Sequence, residues 1–419
     1  MNPTVQKWII DQISGREKEY IKTLQDLVQI PSPNPPGDTR PVANYITKIL
    51  KNHGLEYDVY YPRDENPIVV AKYGSGLSPK LTLSGHLDVF PVADVELWSD
   101  DPFSGTIKDG KLYGRGSSDM KAGVAAALGA FLLLSKQKDN IDGTIILALD
   151  SDEENGSEWG AWWLSDNVPE VFGDACLIGE PTGCTTPLIG QKAPLWLSIT
   201  TKSQPRHGAL SDGRDAIWSM AKVIIAIQTV NDLFYPAPPE IAPIVEKLKR
   251  KQLEEQGGGE WWLEKPSVNF GHVGGGVKVN IVPSSCELQA DVRVPFGSSV
   301  SEILDEIRQR IKNTGVEAEV RIILGEREKP NYTLWDTPFL QVLRQSINTV
   351  TGVEAQPLML PYYTDGRVYR NMGVATACCG PIDYNMAGID ECIDIDEFIN
   401  VLKVFSLTAA SFCGLRNIK

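Results

Sequence analysis

The chain has 419 residues, too many for one ordinary core, so length alone predicts two or three domains or one large domain with an insertion. Apolar residues at 42% and charged residues at 22% are ordinary globular proportions and exclude a disordered chain. The net charge of −14 sets aside nucleic acid and anionic membranes as partners, since both need a basic surface; a local cationic pocket could still take a small anionic substrate.

Residues 1–17 mix charges with apolar residues and lack the continuous apolar block of a signal peptide, which predicts a protein that is not exported. Over residues 17–29, Ile21, Leu24, Leu27 and Val28 share one helical face. The run Ile30-Pro-Ser-Pro-Asn-Pro-Pro-Gly37 ends that helix, because consecutive prolines cannot continue it. Residues 42–54 read as a second amphipathic helix. Residues 57–61, 68–73 and 80–84 read as strands, and 122–136 as a strongly apolar helix whose longest apolar run, 124–134, is too short to span a bilayer. Short buried strands follow at 144–149 and 175–178. Apolar strands alternating with helices predict an α/β fold whose mostly parallel central sheet is flanked by helices.

The texture changes after Pro187. A strand at 195–201 and a helix at 215–230 lead into the charged stretch 240–259, which ends in Gly257-Gly258-Gly259 and reads as a solvated excursion. Strands at 267–272, 285–294 and 318–324, with a helix at 300–312, complete a β-α-β-β-α-β set, the ferredoxin-like arrangement. From Leu334 the α/β pattern resumes with a helix at 337–350, a strand at 375–379 and a helix at 397–412. An α+β domain at 189–326 is therefore expected inside an α/β domain made of 1–188 and 327–419. The seven cysteines form no CxxC pair. Their odd count suggests reduced thiols and a cytosolic setting, with Cys378 and Cys379 in a buried strand.

Four acidic or histidine clusters fall just past strand ends, where open α/β sheets form their sites. In Gly85-His86-Leu87-Asp88, alternation puts His86 and Asp88 on one side of an extended chain, so Asp88 could hold the ring nitrogen of a metal-binding His86. Alone, that pair reads more readily as an ordinary surface or core histidine. Asp119, in Gly114-Arg-Gly-Ser-Ser-Asp119, suits a helix cap. Asp150, Asp152, Glu153 and Glu154 would repel one another unless solvated or neutralised by a cation. Glu180 follows the strand at 175–178. Four such clusters in one sheet point to a divalent metal, and one histidine with several carboxylates suits zinc, cobalt or manganese.

The stretches Ser84-Gly-His-Leu-Asp-Val-Phe-Pro91, Trp98-Ser-Asp-Asp-Pro-Phe103, Gly110-Lys-Leu-Tyr-Gly-Arg-Gly-Ser-Ser-Asp-Met-Lys-Ala-Gly123, Asp152-Glu-Glu154 and Gly179-Glu-Pro-Thr182 closely resemble the family of acetylornithine deacetylase, succinyl-diaminopimelate desuccinylase, aminoacylase and glutamate carboxypeptidase. The resemblance runs in family order from about Ile30 to Phe398. It implies two divalent metal ions, with His86 and Glu180 on one, Glu154 on the other and Asp119 bridging. It implies Asp88 as support for His86 and Glu153 as the general base. It makes the inserted domain a lid that pairs two chains as a homodimer. His207, followed by Gly208, would stabilise the oxyanion across that interface. Asn280 and Arg293 would grip a substrate carboxylate, and Arg367, in Thr364-Asp-Gly-Arg367, would line the pocket.

The family supplies a further metal-binding histidine shortly before an Asp-Glu pair. Here the segment reads Gly380-Pro-Ile-Asp-Tyr-Asn-Met-Ala387-Gly-Ile-Asp-Glu391, and Ala387 occupies that place. The four histidines are His53, His86, His207 and His272, so no neighbour substitutes. The intact remaining motifs favour an inactivating His-to-Ala change, and a natural loss is the competing reading. The expected activity is hydrolysis of an amide in an N-acyl amino acid or dipeptide-like substrate. A ligand-binding pseudoenzyme and an amide-forming acyl transferase are the alternatives. Trp159, Trp162, Trp163, Trp261, Trp262, Tyr362 and Tyr363 suggest an aromatic pocket, although core packing explains most tryptophans equally well.

Overall fold

Burial on both faces explains the near-continuous apolar runs of the strands Lys80–His86, Thr144–Asp150 and Ala175–Ile178, which are covered almost throughout. The structure, a computed structural model, describes residues 2–256 and 263–418. Gly257, Gly258, Gly259, Trp261 and Trp262 lie outside the described residues. The chain divides into two units, one of Met1–Ile189, Thr333–Leu358 and Thr364–Lys419, the other of Gly190–Tyr332 and Met359–Tyr363.

The sheet of the larger unit runs in the order Tyr57–Tyr60, Ile68–Gly74, Thr144–Asp150, Lys80–His86, Ala175–Ile178 and Ala375–Cys378. The last four strands are parallel and the first two join antiparallel, so the sheet is mixed with a parallel centre. Register aligns the strand ends: His86 pairs with Asp150, Ser84 with Ile178, and Ile178 with Cys378. The loops after all four strands therefore leave from one edge. That edge carries every acidic cluster expected from the sequence.

The helix Ala122–Ser135 is buried on nearly all sides, which accounts for its unbroken apolar composition. Together with the preceding turn, Ser117–Ser135 is long and apolar enough to cross a membrane, which the shorter run 124–134 did not suggest; 89% of that window is buried in the protein, so it is a core helix. Its start presses on the sheet edge. A Cβ on Gly123 would lie 2.0 Å from the carbonyl oxygen of Gly179, the residue before Glu180. A helix at Pro3–Ser14, unrecognised in the sequence, buries Val5, Ile9 and Ile13 at four-residue spacing. Asn2 caps it by accepting from the Thr4 amide. A small sheet of Ile107–Lys108, Lys111–Tyr113 and Cys392–Asp394 ties the segment leading to Asp119 to the C-terminal loop.

The smaller unit has four antiparallel strands in the order Ser267–Gly275, Ser285–Val294, Ala193–Lys202, Ala318–Leu324. Leu195, Leu197 and Ile199 alternate inward with Leu288 and Val292, and meet Val223 of the helix Ala216–Gln228 and Ile303 and Ile307 of the helix Val300–Asn313. That strand order and the two helices make the unit ferredoxin-like. The charged stretch read as an excursion is instead largely the helix Ala242–Gln256, preceded by buried Ile241. Ile241 and Val245, four residues apart, were enough to dock it, although charges dominate the rest.

Two measurements test this packing. Gly123→Ala forces the helix off the sheet edge and is expected to cost about 1–3 kcal/mol in urea unfolding. The second concerns Lys192, whose buried ammonium donates to the Lys265 carbonyl at 2.7 Å and whose pKa burial lowers from 10.5 to about 7. Between those values the unfolded chain holds a proton that the folded chain has lost, so the Lys192 contribution to stability improves as pH rises from about 7 toward 10.5, and its full penalty is present below about 7. Urea midpoints at pH 7 and pH 9 are expected to differ less in Lys192→Met.

Candidate metal centre

His86 ends its strand, and its imidazole lies in the buried edge of the sheet. Its Nε2 is 3.1 Å from Asp119 Oδ1 and 3.9 Å from Glu180 Oε1. The three side chains each offer a donor atom within 4.8 Å of the others. Asp119 is free for this because it does not cap the helix. The helix begins at Ala122, and Asp119 is extended at φ −113°, ψ 100°. Glu180 is delivered by the Gly123–Gly179 contact, where two backbones touch with no side chain between them.

Asp88 stands behind the histidine, fully buried. His86 Nδ1 lies 2.9 Å from the Asp88 carbonyl oxygen and 3.4 Å from its carboxylate, so one residue fixes the ring and aims Nε2 at Asp119. The same carboxylate accepts from the amides of Glu153 at 3.3 Å and Glu154 at 3.2 Å. Burial opposes the Asp88 charge, yet the His86, Asn34 and Glu154 contacts hold its pKa below the usual carboxylate range.

The acidic loop turns at Asp152, whose φ of 76° folds the chain back after the strand Thr144–Asp150. Glu153 is buried, and its Oε1 has no hydrogen-bond partner and lies 3.9 Å from Arg367 Nη1. Burial pushes its pKa up to about 8, with His86 and Arg367 opposing and Asp365 and Asp119 adding to the rise. Burial and then Asp119 push Glu154 up to about 11. Burial and Asp119 also raise Glu180 well above the carboxylate range. His86 shows the reverse: burial opposes its proton, but Asp119 and Asp88 bonds and the Glu180 charge raise it well above 6.5.

Behind Asp119 sits a buried ion pair. Glu391 accepts from the amides of Ser118 at 2.9 Å and Asp119 at 3.2 Å, and pairs with Arg115. Arg115 also donates to the Ala387 carbonyl at 2.8 Å. Ala387 is exposed with φ 60° and offers only a methyl group. Asp383, in the same loop, has a pKa raised by burial and by Asp119.

Arg367 is buried and donates to the Gly156 carbonyl at 2.7 Å, Ser157 Oγ at 3.1 Å and the Thr364 carbonyl at 3.1 Å. In the smaller unit, His207 is exposed and its Nδ1 accepts from the Ala209 amide, while the Gly208 amide donates to the Asn280 carbonyl at 2.8 Å. Arg293 donates to Asp291 at 2.8 Å and lies 5.2 Å from the Tyr363 ring, and its Nη1 is buried with no hydrogen-bond partner. Three residues of the larger unit escaped the sequence reading. Arg115 and Glu391 carried a signal, lying in the segments 110–123 and 380–391 that resemble the family. Asn34, inside a run that looked only like a helix breaker, carried none.

The donor set suits a divalent cation. An imidazole and two carboxylates converge, the imidazole is held by a carboxylate behind it, and burial first and the Asp119 charge second raise the Glu154 and Glu180 pKa values. Glu154 is not within that 4.8 Å set, but its carboxyl is close enough to Asp119 to be repelled by it.

Residues 82–411 match the model of Peptidase family M20/M25/M40. A succinyl-diaminopimelate desuccinylase of Wolinella succinogenes is 27% identical over 90% of this chain and 95% of its own. An uncharacterized metallohydrolase of Methanocaldococcus jannaschii is 28% identical over 93% of this chain and 98% of its own. The fold resembles the crystal structure of an M20 family metallo-carboxypeptidase from Sulfolobus solfataricus, with a TM-score of 0.79 over 94% of this chain and 99% of that one at 20% identity. The match spans most of the sequence and includes His86, Asp119, Glu154 and Glu180, and the chain belongs to peptidase family M20/M25/M40, a family of metal-dependent peptidases and deacylases.

Proposed function

We propose that the protein hydrolyses the amide bond of an N-acyl amino acid or dipeptide-like substrate, with Glu153 as the general base. One observation carries the reading. The Glu153 carboxyl is buried beside the His86–Asp119–Glu180 cluster and has an oxygen without a hydrogen-bond partner. A carboxylate with a free oxygen at that place can take a proton from water and return it to a leaving amine. His86 and Glu180 would hold one cation and Glu154 the other, with Asp119 shared between them; zinc is the favoured ion and cobalt or manganese the substitutes. Bound divalent cations polarise the scissile carbonyl and acidify the attacking water.

Each residue then has a defined task. Asp88 keeps the imidazole aimed and the two glutamate amides in place. Glu153 moves the proton from the water to the nitrogen as the C–N bond breaks. Asn280 and Arg293 bind the substrate carboxylate; the partnerless Nη1 of Arg293 supports this, because a guanidinium fork matches a carboxylate. His207 donates to the oxyanion. We assign the protein to the cytoplasm and to a homodimer paired through the smaller unit. Leu210, Trp218, Val277 and Val279 there are large apolar side chains left exposed, Val277 by 87%.

A second reading, a ligand-binding protein without turnover, is favoured by Ala387 alone, since a methyl group cannot ligate a cation. Metal analysis and a screen of N-acyl amino acids and dipeptides, with zinc, cobalt and manganese supplied in turn, separate the two. Ala387→His is expected to raise metal content toward two ions per chain and to speed turnover; identical metal content and rates count against the ligand assignment. Glu153→Gln in that background is expected to lower kcat by about 100- to 10,000-fold with metal content unchanged. For the dimer, sedimentation is expected to show Val279→Asp as a monomer, and an unaltered mass would refute the interface.

A further inference from the structure

The proline-rich run at residues 30–37 has no part in the reaction described so far, yet it holds a buried amide against the site. Its backbone follows the strand end: the Asn34 amide donates to the Val89 carbonyl at 2.9 Å, and the Val89 amide to the Ser32 carbonyl at 3.0 Å. This lays Asn34, 4% exposed, under two carboxylates. Its Nδ2 donates to Asp88 Oδ2 at 2.8 Å and to Asp152 Oδ1 at 3.3 Å. Its Oδ1 accepts from Asn155 Nδ2. Ionised carboxylates only accept, so the amide must turn its NH2 toward both, and the Asn155 donor takes the remaining oxygen. Gly37, at φ 88°, leaves the room, since a Cβ there would lie 2.8 Å from Asn34 Oδ1.

We infer that Asn34 is a positioning residue, holding the Asp88 carboxylate so that one group fixes both His86 and the amides of Glu153 and Glu154. This inference rests on the reading of His86, Asp119 and Glu180 as cation ligands. Removing the Asn34 donor takes a bond from each of two buried carboxylates and leaves them facing each other as like charges. Asp88 then loses the shortest of the bonds that hold its carboxylate, 2.8 Å against 3.2 and 3.3 Å to the Glu154 and Glu153 amides, and rotation of Asp88 moves the imidazole on one side and the acidic loop on the other. The link to His86 runs through Asp88, beside a second link to the acidic loop through Asp152 and Asn155, so a positioning role through Asp88 shows as a loss that shrinks once Asp88 is removed, which a general packing role does not.

The test is zinc competition against a chromophoric chelator, using the full chain, Asn34→Ala, Asp88→Ala and the double variant. Asn34→Ala is expected to weaken zinc binding by about tenfold, as loss of an outer-shell partner does. In the Asp88→Ala background the same change is expected to matter by less than about twofold. Equal losses in both backgrounds, or no loss in either, would overturn the inference while leaving the metal site intact. Failure of the unsubstituted chain to bind zinc would overturn the metal reading and this inference with it. Should circular dichroism show Asn34→Ala unfolded, Asn155→Ala interrupts the same link from the exposed side of the loop. It is expected to give a smaller loss that also vanishes with Asp88→Ala, and a loss that persists there would refute the link.

Discussion

Mutual repulsion of buried carboxyl groups around one imidazole is the constraint on which the functional edge of this protein depends. Burial raises the pKa of Glu153, Glu154 and Glu180, and the Asp119 charge adds to all three. A solvated loop would relieve such crowding by spreading the side chains into water. Here the strand ends, the Gly123–Gly179 contact and the Asp88 hub prevent spreading. A bound cation would offset both the burial cost and the repulsion.

The crowding is maintained by residues that touch no reacting atom. Asp88 links the histidine to the acidic loop, and Glu391 with Arg115 fixes the backbone on which Asp119 sits. Arg367 bonds the carbonyl of Gly156 and so closes the far end of the acidic loop. Each is buried, and each uses a charge to bind backbone groups as well as a side chain. That geometry is stiffer than an isolated ion pair, because the backbone groups cannot rotate away.

Ala387, where the sequence resemblance leads one to expect a histidine, lies in a loop held at its base. The loop that carries it is still anchored by Asp390 on Ser99 and by Glu391 on Arg115.

Much of the framework was legible from residue order. Apolar runs such as Ile145–Leu149 announce strands buried on both faces, and the four clusters past strand ends announce a cation site, because these signals are periodic or locally dense. The helices Pro3–Ser14 and Ala242–Gln256 were not legible, since the first turns only Val5, Ile9 and Ile13 inward over its short length and in the second Val245 stands among many charges. Which acidic residues meet was decided only by tertiary structure. Asp119 reads as a helix cap until the helix is seen to start at Ala122, and Asn34 reads as part of a chain break until its amide is found under Asp88 and Asp152. The sequence determined which side chains could serve a cation, because ligand chemistry belongs to residue type. Convergence of groups separated by some thirty to a hundred positions depends on strand register and close backbone contact, and no local pattern encodes either.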